Sequence, residues 1–293
     1  MFQASWASAI SVKSTGAIGG MIARAACGEN MRGPILHDDD QGSGPPTLVF
    51  LHYFAGSLRS WVHVAGDLSR SCRCLSLDLP GFGRSAPLST YSVQTVAQAV
   101  AMRISDCRLD NYVLVGHSMG GKLALACAAA EPPGLAGLVL VAPSPPSPEP
   151  MDPRERARLL ATHGDRTAAE QTVRTITRRA IPTVDVTICI EDNLLSSPTA
   201  WHWWLSQGSR EDITAQAGRV ACPVLVLGGS EDPVIPPEVI ADEVVPRLTN
   251  VSRIEIAGAG HLLPLEAAQE VGTAIQRFTA QRCHRAGSGT TRL

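Results

Sequence analysis

Tyr112-Val113-Leu114-Val115-Gly116-His117-Ser118-Met119-Gly120-Gly121 is the stretch on which the reading of this chain turns. Tyr112 to Val115 is an apolar run of the kind that forms a buried strand, and the small residues from Lys122 to Ala130 favour a helix. Between them, Gly116-His117-Ser118-Met119-Gly120 predicts a sharp turn with a serine at its apex, the pattern of a nucleophile elbow. Both glycines have a physical reason. A serine on so tight a turn occupies strained backbone, and its neighbours must lack a Cβ for strand and helix to approach. The turn also sets the serine at a helix N-terminus, where free N–H groups can stabilise a developing anion.

The rest of the chain supplies a fold for that turn. Thr47 to His52, Cys74 to Leu77, Leu138 to Val141, Val224 to Leu227 and Arg253 to Ile256 read as further strands, mostly apolar throughout. Ile35-Leu36-His37 reads as a short strand, and Asp38 to Pro46 as a turn cluster. Val93 to Ile104 and Glu266 to Phe278 carry apolar residues at helical spacing. Apolar strands alternating with helices imply an α/β class with a mostly parallel central sheet covered on both faces. Ligands in such folds bind beyond the carboxyl ends of the strands, where Ser118 lies.

The alternation stops between Pro143 and Val220. A proline-rich linker, Ser144 to Pro150, precedes helical sequence at Pro153–His163, Thr167–Arg179, Asp185–Leu195 and Thr199–Ser206. The expected organisation is therefore a disordered extension over 1–30, a core over 31–143, a helical cap insertion over 144–220, the second part of the core over 221–282 and a disordered tail over 283–293.

A formal net charge of −2 over 293 residues gives no reason to expect nucleic acid or an anionic membrane as partner. No apolar run reaches the ~18 to 20 residues of a membrane helix. Residues 1–30 hold one acid, Glu29, and two bases, Lys13 and Arg24, and lack both the basic start and the continuous apolar run of a secretory signal; they read as a poorly ordered extension ahead of Met31, with a weak transit-like peptide as the alternative. Eight scattered cysteines show neither a C-x-x-C pair nor metal-ligand spacing, which predicts buried thiols, no metal and a reducing, cytoplasmic setting. Cys72 and Cys74, at i and i+2 of one strand, are poorly placed for a local disulfide.

A serine hydroxyl needs a base, and the base an orienting acid. Leu227-Gly228-Gly229-Ser230-Glu231-Asp232-Pro233 is a strand end with an acidic turn, and Asp232 is the chosen acid over its neighbour Glu231. Ala257-Gly258-Ala259-Gly260-His261 follows the last strand on a glycine-rich loop, making His261 the expected base among eight histidines. His117 is expected to point away from the base position, and His52 to organise a loop. The oxyanion donors are expected to be the backbone N–H groups of Met119 and Phe54.

These motifs resemble the α/β-hydrolase family in its capped form, from about Met31 to Arg282. The resemblance rests on His52-Tyr53-Phe54-Ala55-Gly56-Ser57, Asp78-Leu79-Pro80-Gly81-Phe82-Gly83-Arg84-Ser85, the elbow, and the Asp232 and His261 segments. It implies Ser118 as nucleophile, His261 as base, Asp232 as its partner and no cofactor. One departure stands out: Tyr53 occupies a position usually held by glycine, which brings its backbone conformation and the second oxyanion donor into question and offers a ring to the pocket. Trp201, Trp203 and Trp204 are expected either to line the cap's inner face, Trp201 and Trp204 foremost, or to pack the cap on the core. The leading expectation is a serine esterase acting on a small carboxylic ester or lactone. The rivals are C–C bond hydrolysis of ring-cleavage products, perhydrolase or cofactor-free haloperoxidase-like activity, and a non-enzymatic binding module.

Overall fold

The apolar tetrapeptides of the sequence lie side by side. The computed structural model describes residues 36–287, and among them seven strands form one sheet in the order β1-β3-β2-β4-β5-β6-β7. These are β1 Asp38–Gln41, β2 Thr47–Leu51, β3 Cys74–Leu77, β4 Tyr112–His117, β5 Leu135–Val141, β6 Val224–Gly229 and β7 Val251–Ile256. Every neighbouring pair is parallel except β1 with β3.

Successive residues of a strand point to opposite faces, which explains why the inner strands β2 to β6 are apolar almost throughout, while the edge strands β1 and β7 carry polar residues and are far less buried. Val49, Leu51, Leu75, Leu77, Leu114, Leu138, Leu140 and Val226 belong to one core. It includes residues of α2 (Val93–Asp106) and α3 (Met119–Ala128). Leu48, Phe50, Cys74, Val113, Val115, Val139, Val141, Leu225 and Leu227 belong to the other, with residues of α1 (Val62–Leu68) and the last helix. Helix α1 has no counterpart among the sequence expectations.

Residues 142–223 join β5 to β6. They carry α4 (Pro153–Ala161), α5 (Arg166–Ile176), α6 (Thr183–Leu195), α7 (Pro198–Ser206) and a short α8 (Thr214–Ala217). Two more short helices, α9 (Pro237–Val239) and α10 (Leu263–Glu266), precede α11 (Ala268–Gly287).

Three local expectations need correction. The strand expected at 35–37 begins instead at Asp38, inside the stretch read as turn; Ile35 lies outside the described residues. Three aspartates in a row suit a turn by composition, but the ladder to β3 and two ion pairs hold them extended. Arg103 Nη2 donates to Asp38 at 2.7 Å and Arg73 Nη2 to Asp40 at 2.6 Å. The proline-rich segment is no loose linker: Ser144, Pro145 and Pro146 are buried, and Pro146 O and Glu149 N–H bond to Ile213 and Ser209. Helix α11 continues to Gly287, five residues into the expected tail, since no proline occurs from Ala268 to Gly287 and no glycine falls between Gly272 and Gly287. The calls on 1–30 and 288–293 lie outside the described residues.

Candidate active site

Steric demands on the elbow are visible atom by atom. Ser118 has φ 53° and ψ −116°, a conformation that L-residues rarely adopt. A Cβ on Gly116 would stand 2.3 Å from Gly120 O, and one on Gly120 would stand 2.5 Å from Leu51 O. A bare Gly116 lets β4 and α3 close on each other, and a bare Gly120 lets α3 lie against the end of β2. Ser118 N–H donates to Val141 O at 3.0 Å, which fastens the apex to the neighbouring strand β5.

The expected acid and base meet the serine in sequence order. His261 Nε2 lies 3.0 Å from Ser118 Oγ, and His261 Nδ1 lies 2.8 Å from Asp232 Oδ2. Asp232 Oδ1 accepts the N–H groups of Val234 at 2.8 Å and Ile235 at 3.0 Å, so the carboxylate cannot swing away. Glu231 takes no part in these contacts. All three side chains are buried, Ser118 the most exposed at 6%. Burial pulls the His261 pKa down, but the Asp232 carboxylate, with Glu149 and Glu266 further off, pulls it up, and the balance lies above the ordinary 6.5.

His117 points away from the serine, as its position in the elbow suggests. Its Nε2–H donates to His261 O at 2.8 Å, and burial with the nearby His261 holds its pKa well below the usual value. The two rings sit 5.2 Å apart. A neutral, buried imidazole thus fixes the backbone of the other one.

His52 organises the loop after β2. Leu79 N–H donates to its Nε2 at 3.0 Å, so that nitrogen is unprotonated and Nδ1 carries the hydrogen. Nδ1–H then donates to Tyr53 O at 2.7 Å. Gly56 N–H donates to the same oxygen at 3.1 Å. Because a trans peptide places its C=O and N–H on opposite sides, anchoring Tyr53 O aims Phe54 N–H the other way. Tyr53 itself escapes the conformational strain expected of it: Ala55 takes the left-handed turn, with φ 65°. The Tyr53 ring lies over Gly56, 5.3 Å from the His117 ring, and its hydroxyl neighbours the Cys189 thiol of α6. Burial pushes the Tyr53 pKa well up, leaving a neutral phenol. Just past this loop, Ser57 Oγ donates to Asp192 of α6 at 2.7 Å, and Arg59 Nη2 donates to the same carboxylate at 2.5 Å.

Ser118 and His261 open into a cavity of about 400 Å³. Tyr53, Phe54, Trp201 and Trp204 line it, together with aliphatic residues of α4 and α5 such as Leu159 and Val173. Trp203 lies outside, stacked on Tyr91 at 5.1 Å. Trp201 and Trp204 therefore both line the cavity and pack the insertion, the ring of Trp201 lying 4.7 Å from that of Phe54. The lining contains the acids Glu149, Asp152 and Glu155 and no lysine or arginine. Glu155 is paired with Arg158 at 2.6 Å, and Asp152 caps α4. Among the described residues no cluster of His, Cys, Asp and Glu could hold a metal ion.

One buried residue at the site was not singled out from sequence. Glu266 Oε2 accepts N–H groups from Arg178 at 2.7 Å, Arg179 at 2.9 Å and Gly260 at 2.9 Å, and Oε1 accepts Leu262 N–H at 2.9 Å. In the sequence it reads as one more glutamate on an amphipathic helix, and no local signal marks it.

A family model described as "Alpha/beta hydrolase family" matches residues 48–274. Among curated proteins, the 2-succinyl-6-hydroxy-2,4-cyclohexadiene-1-carboxylate synthase of Salmonella arizonae is 40% identical over 98 residues. That match covers 33% of this chain and 38% of the synthase, so the chain spans well under half the length of this relative. Among solved structures, an esterase from Exiguobacterium antarcticum has a TM-score of 0.78 at 20% identity, over 85% of this chain and 97% of the esterase. The enol-lactonase from Burkholderia xenovorans LB400 has a TM-score of 0.72 at 20% identity, over 84% of this chain and 96% of the lactonase. At these identities the structural likenesses are likenesses of fold.

Proposed function

Because the chain belongs to the alpha/beta hydrolase family, we propose that it is a serine hydrolase cleaving a neutral, largely apolar carboxylic ester or lactone through an acyl-enzyme. The observation that carries this reading is the hydrogen-bonded series Asp232–His261–Ser118 at the wall of an aromatic cavity.

In the proposed reaction, His261 Nε2 removes the Ser118 proton as Oγ attacks the carbonyl carbon. Asp232 stabilises the imidazolium at Nδ1 without taking its proton. The oxyanion forms beside the N–H groups of Met119 and Phe54, the first supplied by the start of α3 and the second aimed by His52. His261 then protonates the leaving alkoxide, or the ring alkoxide of an opened lactone, and the acyl group stays on Ser118. Water, deprotonated by the same imidazole, attacks the acyl carbon and releases the acid, restoring Ser118. Each proton taken is returned, so the cycle closes with water as the one co-reactant.

The synthase relative suggests a second reading, in which the cavity would hold a carboxylate-bearing molecule of the kind its name describes. The cavity's own chemistry favours the first: such an anion needs a cationic partner, and the lining offers acids instead. The fold's likeness to an esterase and an enol-lactonase also supports ester or lactone cleavage. No helix among the described residues is long and apolar enough to cross a membrane. The proposal includes a cytoplasmic setting, which the free and mostly buried thiols of the described residues support. The test is a panel of aryl esters and lactones of graded acyl length, run on the wild type and Ser118→Ala, with fluorophosphonate labelling of Ser118. A wild type that neither labels nor hydrolyses any member defeats the reading.

A further inference from the structure

Buried carboxylates ordinarily find a cation; Glu266 finds none among the described ion pairs, although two arginines follow each other beside it. The Arg178 guanidinium donates to Thr175 O and Thr177 O, and that of Arg179 to Glu270 and Ala257 O. What these residues give Glu266 is their backbone N–H groups. With Gly260 and Leu262, four donors meet a group that has about four lone-pair sites and nothing to donate. The donors come from two places. Gly260 and Leu262 flank His261, and Arg178 and Arg179 follow α5 in the insertion. A further bond runs directly between the same two segments, His261 N–H to Ile176 O at 2.8 Å. A Cβ on Gly260 would stand 2.7 Å from that Ile176 oxygen, so the segments touch as closely as bare backbone allows.

We propose that Glu266 is the positioning residue of the base: one carboxylate joins the His261 loop to the end of α5, so the reach of the imidazole to Ser118 is set by the insertion as well as by Asp232. The inference rests on the reading of His261 as the general base. A glutamine at 266 keeps the shape but turns an NH2 group toward converging N–H donors, which opens the joint. An aspartate keeps the charge but withdraws it by one methylene. The groups acting on the His261 ring are Asp232 at Nδ1, Glu149 and Glu266 further away, and neutral His117 beside it.

The experiment compares wild type, Glu266→Gln and Glu266→Asp in steady-state hydrolysis of a short aryl ester across pH, with melting temperatures and fluorophosphonate labelling rates. In both variants kcat and the labelling rate are expected to fall about 10- to 100-fold, with KM within about twofold, the loss of a positioned base. The acid limb of the profile is expected to move to lower pH in Glu266→Gln and to stay in place in Glu266→Asp, because charge is lost only in the first. Variants that melt earlier but keep wild-type kcat and acid limb would reduce Glu266 to a loop staple and overturn the proposal. Should Glu266→Gln not fold, the fall in kcat at unchanged KM in Glu266→Asp decides alone. A wild type inert to both ester and probe would instead defeat the hydrolase reading, which is a separate outcome.

Discussion

The imidazole of His52 grips the carbonyl oxygen of Tyr53 at 2.7 Å, one residue ahead of it, and the peptide so held ends in the Phe54 N–H. Replacing His52 with alanine leaves Tyr53 O held by Gly56 N–H alone and Leu79 N–H buried without its acceptor. The unpaired amide is expected to cost about 1–3 kcal/mol of stability. If Phe54 N–H is the oxyanion donor proposed above, its loss of fixed aim is expected to lower kcat by up to ~10²- to 10³-fold. Steady-state hydrolysis beside urea denaturation checks both, and a variant with unaltered kcat would remove His52 from any role in aiming Phe54.

At Ser118 chemistry and stability part company. Alanine or glycine there removes the proposed nucleophile, and kcat is expected to fall by ~10⁴-fold or more in both. The backbone, at φ 53° and ψ −116°, is strained for alanine and open to glycine. Ser118→Gly is therefore expected to be the more stable of the two by roughly 1–3 kcal/mol. Calorimetry decides, and a higher melting temperature for Ser118→Ala would contradict the strain.

The acid side of the activity profile follows from His261. The proposed mechanism needs the imidazole neutral, and its pKa in the folded chain is raised above 6.5, burial being outweighed by Asp232 and the more distant acids. Activity is expected to be present above the folded pKa and to be lost as pH falls through it, with half-loss above pH 6.5. Asp232→Asn is expected to move that midpoint down and, by favouring the wrong tautomer, to cut kcat by about 10⁴-fold. A profile of kcat/KM for both proteins tests the sign, which a wild-type midpoint well under 6.5 would reverse.

Trp201 carries a dual burden, lining the cavity and packing the insertion, with Nε1–H donating to Leu159 O at 3.1 Å. Trp201→Ala is expected to destabilise the protein by about 3–5 kcal/mol. It is also expected to shift preference toward longer acyl chains, because the space released adjoins Phe54. An acyl-length series in kcat/KM on wild type and variant reads the shift; an unchanged optimum would place the acyl group elsewhere in the cavity.

Much of this arrangement was legible before any coordinates. Ser118 and Asp232 follow the buried strands β4 and β6, and His261 follows the edge strand β7; a parallel sheet gathers such ends at one edge, so strand reading alone brings them together. Asp38 to Gln41 was not legible: composition argues for a turn, and the ladder and the ion pairs that overrule it come from residues 33 to 65 positions away. Tyr53 was misjudged for a similar reason. The strain expected of it passed to Ala55, a choice made by the anchoring of one carbonyl and invisible in residue types. Glu266 was hidden because its partners are main-chain N–H groups, which every residue but proline owns.

The passage from β5 to β6 has a consequence for exchanging parts between proteins. The two strands keep an unbroken parallel register from Leu138 with Val224 to Val141 with Leu227. Some eighty residues leave and re-enter the sheet across that seam, and they look at first like a replaceable cassette. The seam is not the whole boundary. A transplanted cassette that closed neatly on the strands would still have to offer a carbonyl where Ile176 has one, and amides where Arg178 and Arg179 have theirs. Grafts chosen for those three main-chain atoms should yield working hybrids, and grafts chosen for pocket residues alone should yield folded, silent ones.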